Sequence, residues 1–303
     1  MTRRPGWTRT GTRRPFRYLD SSGRRITDAA VVERLDRLAI PPAWRDVWIA
    51  PGPKAKVQAT GLDAAGRKQY IYHPDFRAAQ EAAKFGKLIQ FAEKLPDIRQ
   101  AMGEHMMLEP LDPLRVCAIA VRLTNLAWFR VGSERYAKES RTYGVSTLYK
   151  SHVQVRGKRV SFKFRAKHKI QVRTALVDTE LSEAIKALQA TPGSRLFRYE
   201  VDGRLCNLTD RRLNEYIKEY MGPDFSIKDF RTWGGTLLAS IAFAERGPVE
   251  GKGEQKRAVA AVMRSVAEKL GNTPAVTRAS YVSPAVIDQY LDGRTIDDFR
   301  PRH

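Results

Sequence analysis

The hydrophobic period of this chain shifts near Pro74 from mainly strand-like to mainly helical, and that change limits the folds open to it. Before Pro74, "DVWIAP" and "AKVQATGLDAAGRKQYIYH" are short apolar runs separated by Gly and Pro turns and read as strands, with "DAAG" as a hairpin turn. One helical stretch, "DAAVVERLDRLAI", precedes them and stops at Pro41-Pro42. After Pro74, "FRAAQEAAKFGKLIQFAEKL" and most later segments carry apolar residues at helical spacing, which places a boundary near residues 77–80. One later island, "STLYKSHVQVRGKRVSFKFRAKHKIQVR" at 146–173, is strand-like and turns at Arg156-Gly157-Lys158, so a β-hairpin is expected there. "ERGPVEGKGEQKR", 245–257, is rich in Gly and charge and reads as a mobile surface loop. The expected architecture is α+β: a basic, flexible arm over 1–17, a small, mainly antiparallel-β domain over 18–79, and a larger, mainly α-helical domain over 80–303. A length of 303 residues suits two such domains.

Charge narrows the partner. The 54 Lys and Arg exceed the 33 Asp and Glu by 21, and a chain that basic usually meets a polyanion, with nucleic acid the leading candidate. Residues 1–79 carry 16 basic and 7 acidic side chains, a net of +9, and the remainder carries +12. Basic charge in both parts suits a protein that grips one polyanion from two sides. The opening "MTRRPGWTRTGTRRPFRY" has six arginines without the apolar core of a secretory signal, and "TLLASIAFA" is too short to span a bilayer. Cys117 and Cys206 stand 89 positions apart and the five histidines are dispersed, so neither a disulfide framework nor a metal cluster is expected. These features suggest an intracellular protein without a structural metal.

Two arginines look out of place. In "LRVCAIAVRLTNLAWFRVGSERY" the apolar stripe Ile119, Leu123, Leu126, Ala127 leads on to Arg130. A guanidinium on a core-facing stripe is costly unless an anion, a carboxylate such as Glu134, or water at the helix end satisfies it. In "SIKDFRTWGGTLLASIAF", with Ser226 as N-cap, Ile227, Gly234, Leu238 and Ile241 share a face with Arg231. Gly234 and Gly235 suggest close approach by another backbone or packing around small residues. Two such arginines could form a double fork on one phosphate, which is what phosphoryl transfer needs.

These segments, together with "IPPAWRDVWIAP", "VQATGLDAAGRKQYIYH", "RVGSERY", "SFKFRAKHK", "KDFRTWGGT" and "LGNTPAVTRASYVSP", resemble the type IB DNA topoisomerases in their short bacterial, poxvirus-like form. The likeness covers nearly the whole length beyond the arm, and six motifs in family order are highly specific. It implies the tyrosine recombinase/topoisomerase IB catalytic fold for the helical domain. It also singles out Tyr281, one of 11 tyrosines, as the nucleophile. Arg130 and Arg231 become the phosphate clamps, and Lys167 in the hairpin a general acid. The implied reaction is relaxation of supercoiled duplex DNA through a 3′-phosphotyrosyl link, swivelling and resealing, with neither ATP nor an obligatory metal and no cofactor. The family implies a monomer that clamps the duplex, and the substrate places it in the cytoplasm at the nucleoid.

Residue chemistry supports these roles. Phenol, with an ordinary pKa of about 10, is a reluctant nucleophile that neighbouring guanidinium groups make easier to ionise. The leaving 5′-alkoxide is more basic than phenolate and needs a proton donor such as Lys167, although Lys158, Lys163 and Lys169 share this stretch and can equally be solvated or touch phosphates. Nine positions before the tyrosine many family members have a histidine; here Asn272 can donate the same bond without charge, cap a helix, or do both. For DNA contact the candidates are Arg67, Lys68, Gln69, Tyr70 and Tyr72, on a strand that lies in the major groove in the family, and Tyr136 on the DNA backbone. Strand alternation sets Gln69 on the face opposite Tyr70 and Tyr72. Trp44 and Trp48 read as core. A tyrosine recombinase usually has histidine three residues before the second arginine, where this chain has Lys228. A noncatalytic DNA-binding protein on the same scaffold is the other alternative.

Overall fold

The computed structural model describes residues 5–11 and 15–299, and the chain divides into two compact units, Met1–Lys84 and Phe85–His303.

The first unit is built on a five-stranded antiparallel sheet in the order β2-β1-β3-β4-β5, formed by β1 (Trp7–Thr10), β2 (Arg17–Leu19), β3 (Arg45–Ile49), β4 (Val57–Leu62) and β5 (Lys68–Tyr72). Trp7–Thr10 lies in the segment expected as a flexible arm, yet it is an inner strand, with Thr8 opposite both Leu19 and Trp48. Trp7 packing against the core of this unit and the side chain of Arg9, which donates to the Ile40 and Trp44 carbonyls at 2.9 and 2.8 Å, hold it there. Residues 1–4 and 12–14 of that segment lie outside the described residues. Helix α1 (Ala29–Arg37) starts where Asp28 accepts from the Val31 amide and packs Leu35 under the sheet with Tyr18, Val47, Ile49 and Ala59. Trp44 and Trp48 are only half-buried. The β4–β5 turn is set by Asp63, whose carboxylate accepts from the Ala65 and Arg67 amides at 2.9 and 3.0 Å.

The second unit follows from α2 (Pro74–His105), which carries the chain across the division between units. At its centre is α3 (Pro113–Ala127), capped by Asp112. Val116 through Val121 and Leu123 are fully buried, and a helix apolar all round can only lie inside. Short α4 (Glu134–Ser140) precedes a three-stranded antiparallel sheet, β6 (Val153–Arg156), β7 (Arg159–Arg165) and β8 (Gln171–Val177). The expected hairpin is therefore one turn of a longer meander, and its second turn, 166–170, holds Lys167. Helix α5 (Thr179–Ala190) leads to a hairpin the sequence reading passed over, β9 (Arg198–Val201) and β10 (Arg204–Asn207). Asp202 and Gly203 both have positive φ, 51° and 72°, in that two-residue turn.

Helices α6 (Asp210–Met221), α7 (Ile227–Arg246), α8 (Lys252–Leu270), α9 (Pro274–Ser280) and α10 (Pro284–Leu291) complete the unit. The expected loop at 245–257 shrinks to the residues between α7 and α8, because Lys252 onward is helical and the apolar face of Ala258, Val259, Val262 and Met263 anchors it. Ser226 begins α7 as expected, with the Asp229 carboxylate accepting from its amide at 2.8 Å. Ile227, Gly234 and Leu238 face the interior, but Ile241 is exposed. Phe91 of α2 meets Phe230 of α7 edge-on at 5.0 Å, a geometry that adds about 0.5–1.5 kcal/mol beyond the area it buries.

Candidate active site

Arg231 is 4% exposed, the extreme case of a charged side chain inside this unit. Helix periodicity puts it there, and the fold satisfies it without a carboxylate. Its guanidinium donates to the carbonyl oxygens of Trp128 and of Leu270, the latter at 2.9 Å. Leu270 ends α8, so the negative end of that helix faces the cation. Burial pulls Arg231 down to about 10, and neighbouring Arg130 adds to the fall while Tyr281 opposes it. A base with that pKa is still charged near neutrality.

Arg130 reaches the same spot by another route. Helix α3 ends before it, at Trp128, which takes the left-handed conformation (φ 51°). The expected continuation of the apolar stripe to Arg130 therefore fails: the chain has left the helix. A non-glycine residue in that region costs about 1–2 kcal/mol, and the Trp128 carbonyl thereby meets Arg231. Arg130 donates through Nη2 to the Gly271 carbonyl at 3.0 Å and to Oδ1 of Asn272. Glu134 is not its partner. Arg195 claims Glu134 through both carboxylate oxygens, at 2.9 and 2.7 Å, and also lies 4.6 Å over the Tyr149 ring. Burial lowers the Arg130 pKa, with Tyr281 acting against it.

Because an arginine donor can face only an oxygen, the Arg130 contact fixes the orientation of the Asn272 amide. Its Nδ2 is then buried with no partner, and so is Nε of Arg231. Both are unused donors among the described residues, and a buried donor calls for an acceptor. Asn272 does not cap α9 with its side chain; Thr273 does, accepting from Val276, while the Asn272 amide closes α8 by donating to the Ala267 carbonyl at 2.9 Å.

Tyr281 sits at the C-terminal end of α9, half-buried, with the Arg231 Cζ 5.1 Å from its ring centroid. The glycine pair of α7 explains how it gets so close. A Cβ at Gly235 would lie 2.5 Å from the Tyr281 carbonyl oxygen, and one at Gly234 would lie 2.2 Å from the Trp128 indole. Thr236 then ties the turn, donating to the Tyr281 carbonyl at 3.3 Å and accepting from the Ser283 amide at 3.1 Å. Sequence reading singled out the glycines and missed Thr236, whose adjacency to them was the available signal.

Lys167 stands apart. It is exposed in the β7–β8 turn, where His168 and Lys169 both have positive φ, and has no hydrogen bond or ion pair among the described residues. A cleft of about 230 Å³ is lined by Arg130, Arg231 and Gly271 on one side and by Ala166, Ile170 and Arg173 on the other, so the turn borders the arginines without Lys167 entering. The structure thus gathers Arg130, Arg231, Asn272 and Tyr281, and leaves Lys167 at the edge. No group of three or more His, Cys, Asp or Glu suited to a metal occurs among the described residues. No helix among them is long and apolar enough to cross a membrane.

In the first unit, β5 alternates as expected: Tyr70 and Tyr72 are exposed and their rings stack at 5.9 Å, while Gln69 faces the other way. Gln69 and Arg67 both bond the Asp63 carboxylate, at 2.9 and 2.7 Å. Lys68 lies 5.6 Å from the Tyr70 ring. Tyr136, on α4, is exposed.

A basic chain with paired guanidinium groups at a tyrosine has the charge and donor set of an enzyme acting on a phosphodiester polymer, and comparison with known proteins specifies which. Residues 73–294 match the catalytic core of eukaryotic DNA topoisomerase I, and residues 15–63 match the N-terminal domain of bacterial DNA topoisomerase IB. DNA topoisomerase 1B of Acanthamoeba polyphaga mimivirus is 33% identical over 267 residues, 86% of this chain and 80% of the relative. DNA topoisomerase 1B of Vaccinia virus (strain Copenhagen) is 22% identical over 244 residues, 78% and 73% of the two chains. A solved XerH site-specific recombinase bound to palindromic difH substrate superposes with a TM-score of 0.41 and 13% identity, over 64% of this chain and 50% of that one. The chain belongs to the type IB DNA topoisomerases, with a poxvirus-like arrangement. It is an enzyme whose substrate is DNA.

Proposed function

We propose that this topoisomerase relaxes supercoiled duplex DNA through a 3′-phosphotyrosyl intermediate on Tyr281, without ATP or an obligatory metal, working as a monomer closed around the duplex. The observation that carries the reading is the pair of guanidinium groups at Tyr281, held by main-chain and amide oxygens and with no carboxylate among the described residues to neutralise either. Their positive charge remains available to a phosphate.

In the forward step the Tyr281 Oη bonds to phosphorus, the phosphorus–O5′ bond breaks, the phenol proton passes to water, and O5′ takes a proton from Lys167. Arg130 and Arg231 hold the nonbridging oxygens and favour the developing phenolate. The free Nδ2 of Asn272 donates to one of those oxygens, the place filled by histidine in many relatives. After the free 5′ end has swivelled, the 5′-hydroxyl attacks the phosphotyrosine and the same steps run backwards. Because each transesterification exchanges one phosphoester bond for another, no external energy source is required. For DNA contact the exposed Lys68, Tyr70 and Tyr72 of β5 offer one coherent face, whereas Arg67 and Gln69 must first leave Asp63; Tyr136 meets the backbone.

The test is relaxation of supercoiled plasmid in EDTA without nucleotide, repeated with Tyr281→Phe. A ladder of relaxed topoisomers from the wild type, with retained DNA binding but no covalent complex from Tyr281→Phe, is the expected result. Plasmid that stays supercoiled although bound would sink the relaxation reading, and equal loss of binding and cleavage in the variant would remove the role assigned to Tyr281.

A further inference from the structure

Residues 153–177 contain eight Lys and Arg and no Asp or Glu, and the three-stranded sheet sorts them. Its register sets Arg156 opposite Arg159 and Lys163 opposite Arg173. Directly opposed residues share a face, and these four, with Arg165, alternate with the buried Val160, Phe162 and Phe164. Every charged residue on the outer face is therefore basic, interspersed with neutral Gln154, Ser161 and Ala175. Like charges directly opposite each other destabilise an antiparallel pair, and this sheet carries two such pairs, separated by that neutral row. None of the five cations has a hydrogen bond or ion pair among the described residues. The carboxylates that follow β8 in sequence are taken, because Asp178 and Glu180 both pair with Arg122 at 2.8 Å.

The face also joins the site already described. A concavity of about 680 Å³ on it is lined by Arg159, Ser161, Lys163 and Arg173, and Arg173 with Thr174 lines the cleft beside Arg130 and Arg231 as well. From Arg165 to Arg159 the strand advances about 20 Å, roughly the axial span of six base pairs.

We infer that the outer face of the β6–β7–β8 sheet is a phosphate-binding track that holds the backbone of the same duplex flanking the scissile phosphate. This rests on the proposed reaction only in taking the cleft as the place of cleavage. Electrostatic repulsion across the sheet, unfavourable in the free protein, becomes attraction for a chain of phosphates. The track adds affinity and register without reading bases.

The inference is tested by the salt dependence of binding to a duplex extending ten base pairs to each side of the cleavage position. The triple variant Arg156→Gln/Arg159→Gln/Lys163→Gln is compared with a control of equal charge change on exposed residues of α5 and α6, Lys186→Gln/Arg211→Gln/Lys218→Gln. Loss of three phosphate contacts reduces the slope of log K against log salt by about 2.7, and the control leaves it unchanged. An unaltered slope in the triple variant, or an equal fall in both, overturns the inference. Trimming the duplex on the contacted side must erase the difference from wild type; a difference restored only by adding a second duplex in trans assigns the face to another DNA segment and likewise overturns it. A second readout separates binding from folding. Lys163→Glu places a carboxylate opposite Arg173, so Tm rises by about 1–2 °C while DNA affinity falls severalfold. If both fall together, the face has a structural role. Covalent-complex formation by the wild type is measured on the same duplex, so a failed track and a failed cleavage assignment give different results.

Discussion

The two halves of the candidate active site are built in opposite ways. Arg130, Arg231, Asn272 and Tyr281 are fixed by backbone: carbonyls at Trp128, Leu270 and Gly271 hold the cations, and the α7 glycines admit the Tyr281 main chain. Lys167 sits on an exposed turn in which two successive residues have positive φ. The difference matches the task of each group. Charge that meets a developing transition state acts best when it is positioned in advance in a place shielded from water. A lysine that must donate a proton to an alkoxide can arrive with the DNA, since until then it has no acceptor. Burial of the arginines is also made tolerable by the C-terminal end of α8, which supplies partial negative charge without the full neutralisation a carboxylate would bring.

The largest test of that contrast is Arg231→Ala. It removes a phosphate ligand and orphans the Trp128 and Leu270 carbonyls, so single-turnover cleavage should fall by about 10³-fold or more and stability by about 2–4 kcal/mol, read by covalent-complex formation and thermal unfolding. Lys167→Ala should slow cleavage by about 10²–10⁴-fold and leave Tm unchanged. Replacing the bridging 5′ oxygen by sulfur, a much less basic leaving group, should abolish the defect of Lys167→Ala and leave that of Arg231→Ala. If the lysine variant unfolds earlier, or sulfur fails to rescue it, the division of labour drawn here is wrong.

Asn272 tests the join between the halves of the donor set. Asn272→Ala deletes one bond to a charged group at Arg130 and one donor toward phosphate, for which about 10–100-fold in cleavage rate is expected. Asn272→Asp keeps an acceptor for Arg130 but brings a negative charge to the phosphate and loses the donor, so it should be the slower of the two despite its smaller change in shape. The reverse order would mean that Asn272 serves chiefly to orient Arg130.

How far the sequence revealed this follows from the range of each interaction. Arg231 was legible because α7 is regular and three residues of its inner face, Ile227, Gly234 and Leu238, recur at helical spacing. Arg130 was singled out for a wrong geometric reason, since nothing in "LAWFR" announces a left-handed Trp128. Its partners, 141 and 142 residues away, lie beyond any local pattern. The Glu134–Arg195 pair is hidden for the same reason. The third strand of the meander begins at the end of the strand-like island and was not separated from it, because the turn before it, 166–170, contains neither Gly nor Pro to announce it. The β9–β10 hairpin did carry a local signal, Asp202-Gly203 between short alternating runs, that was available and passed over.

The smallest effect expected concerns the turn of the first unit, where a predicted DNA-binding set is restrained rather than presented. The Arg67 side chain, with backbone amides and Gln69, holds the Asp63 carboxyl down at about 2, below the ordinary 3.8. A depressed carboxylate contributes stability above its unfolded pKa and loses it as pH falls through the folded value, so the contribution fades between about pH 4 and pH 2. Asp20, held at about 2 chiefly by Ser22, titrates in the same window. Asp63→Asn should therefore flatten only part of the acid decline in Tm, and Asp63→Asn/Asp20→Asn more of it. At neutral pH the same Asp63→Asn variant releases Arg67 and Gln69 from a competing anion. If both then reach the duplex as proposed, affinity rises slightly and the salt slope steepens by about 0.9 for the one added charge. An unchanged slope would leave Arg67 as the keeper of the turn and Lys68, Tyr70 and Tyr72 as the groups of β5 that meet DNA.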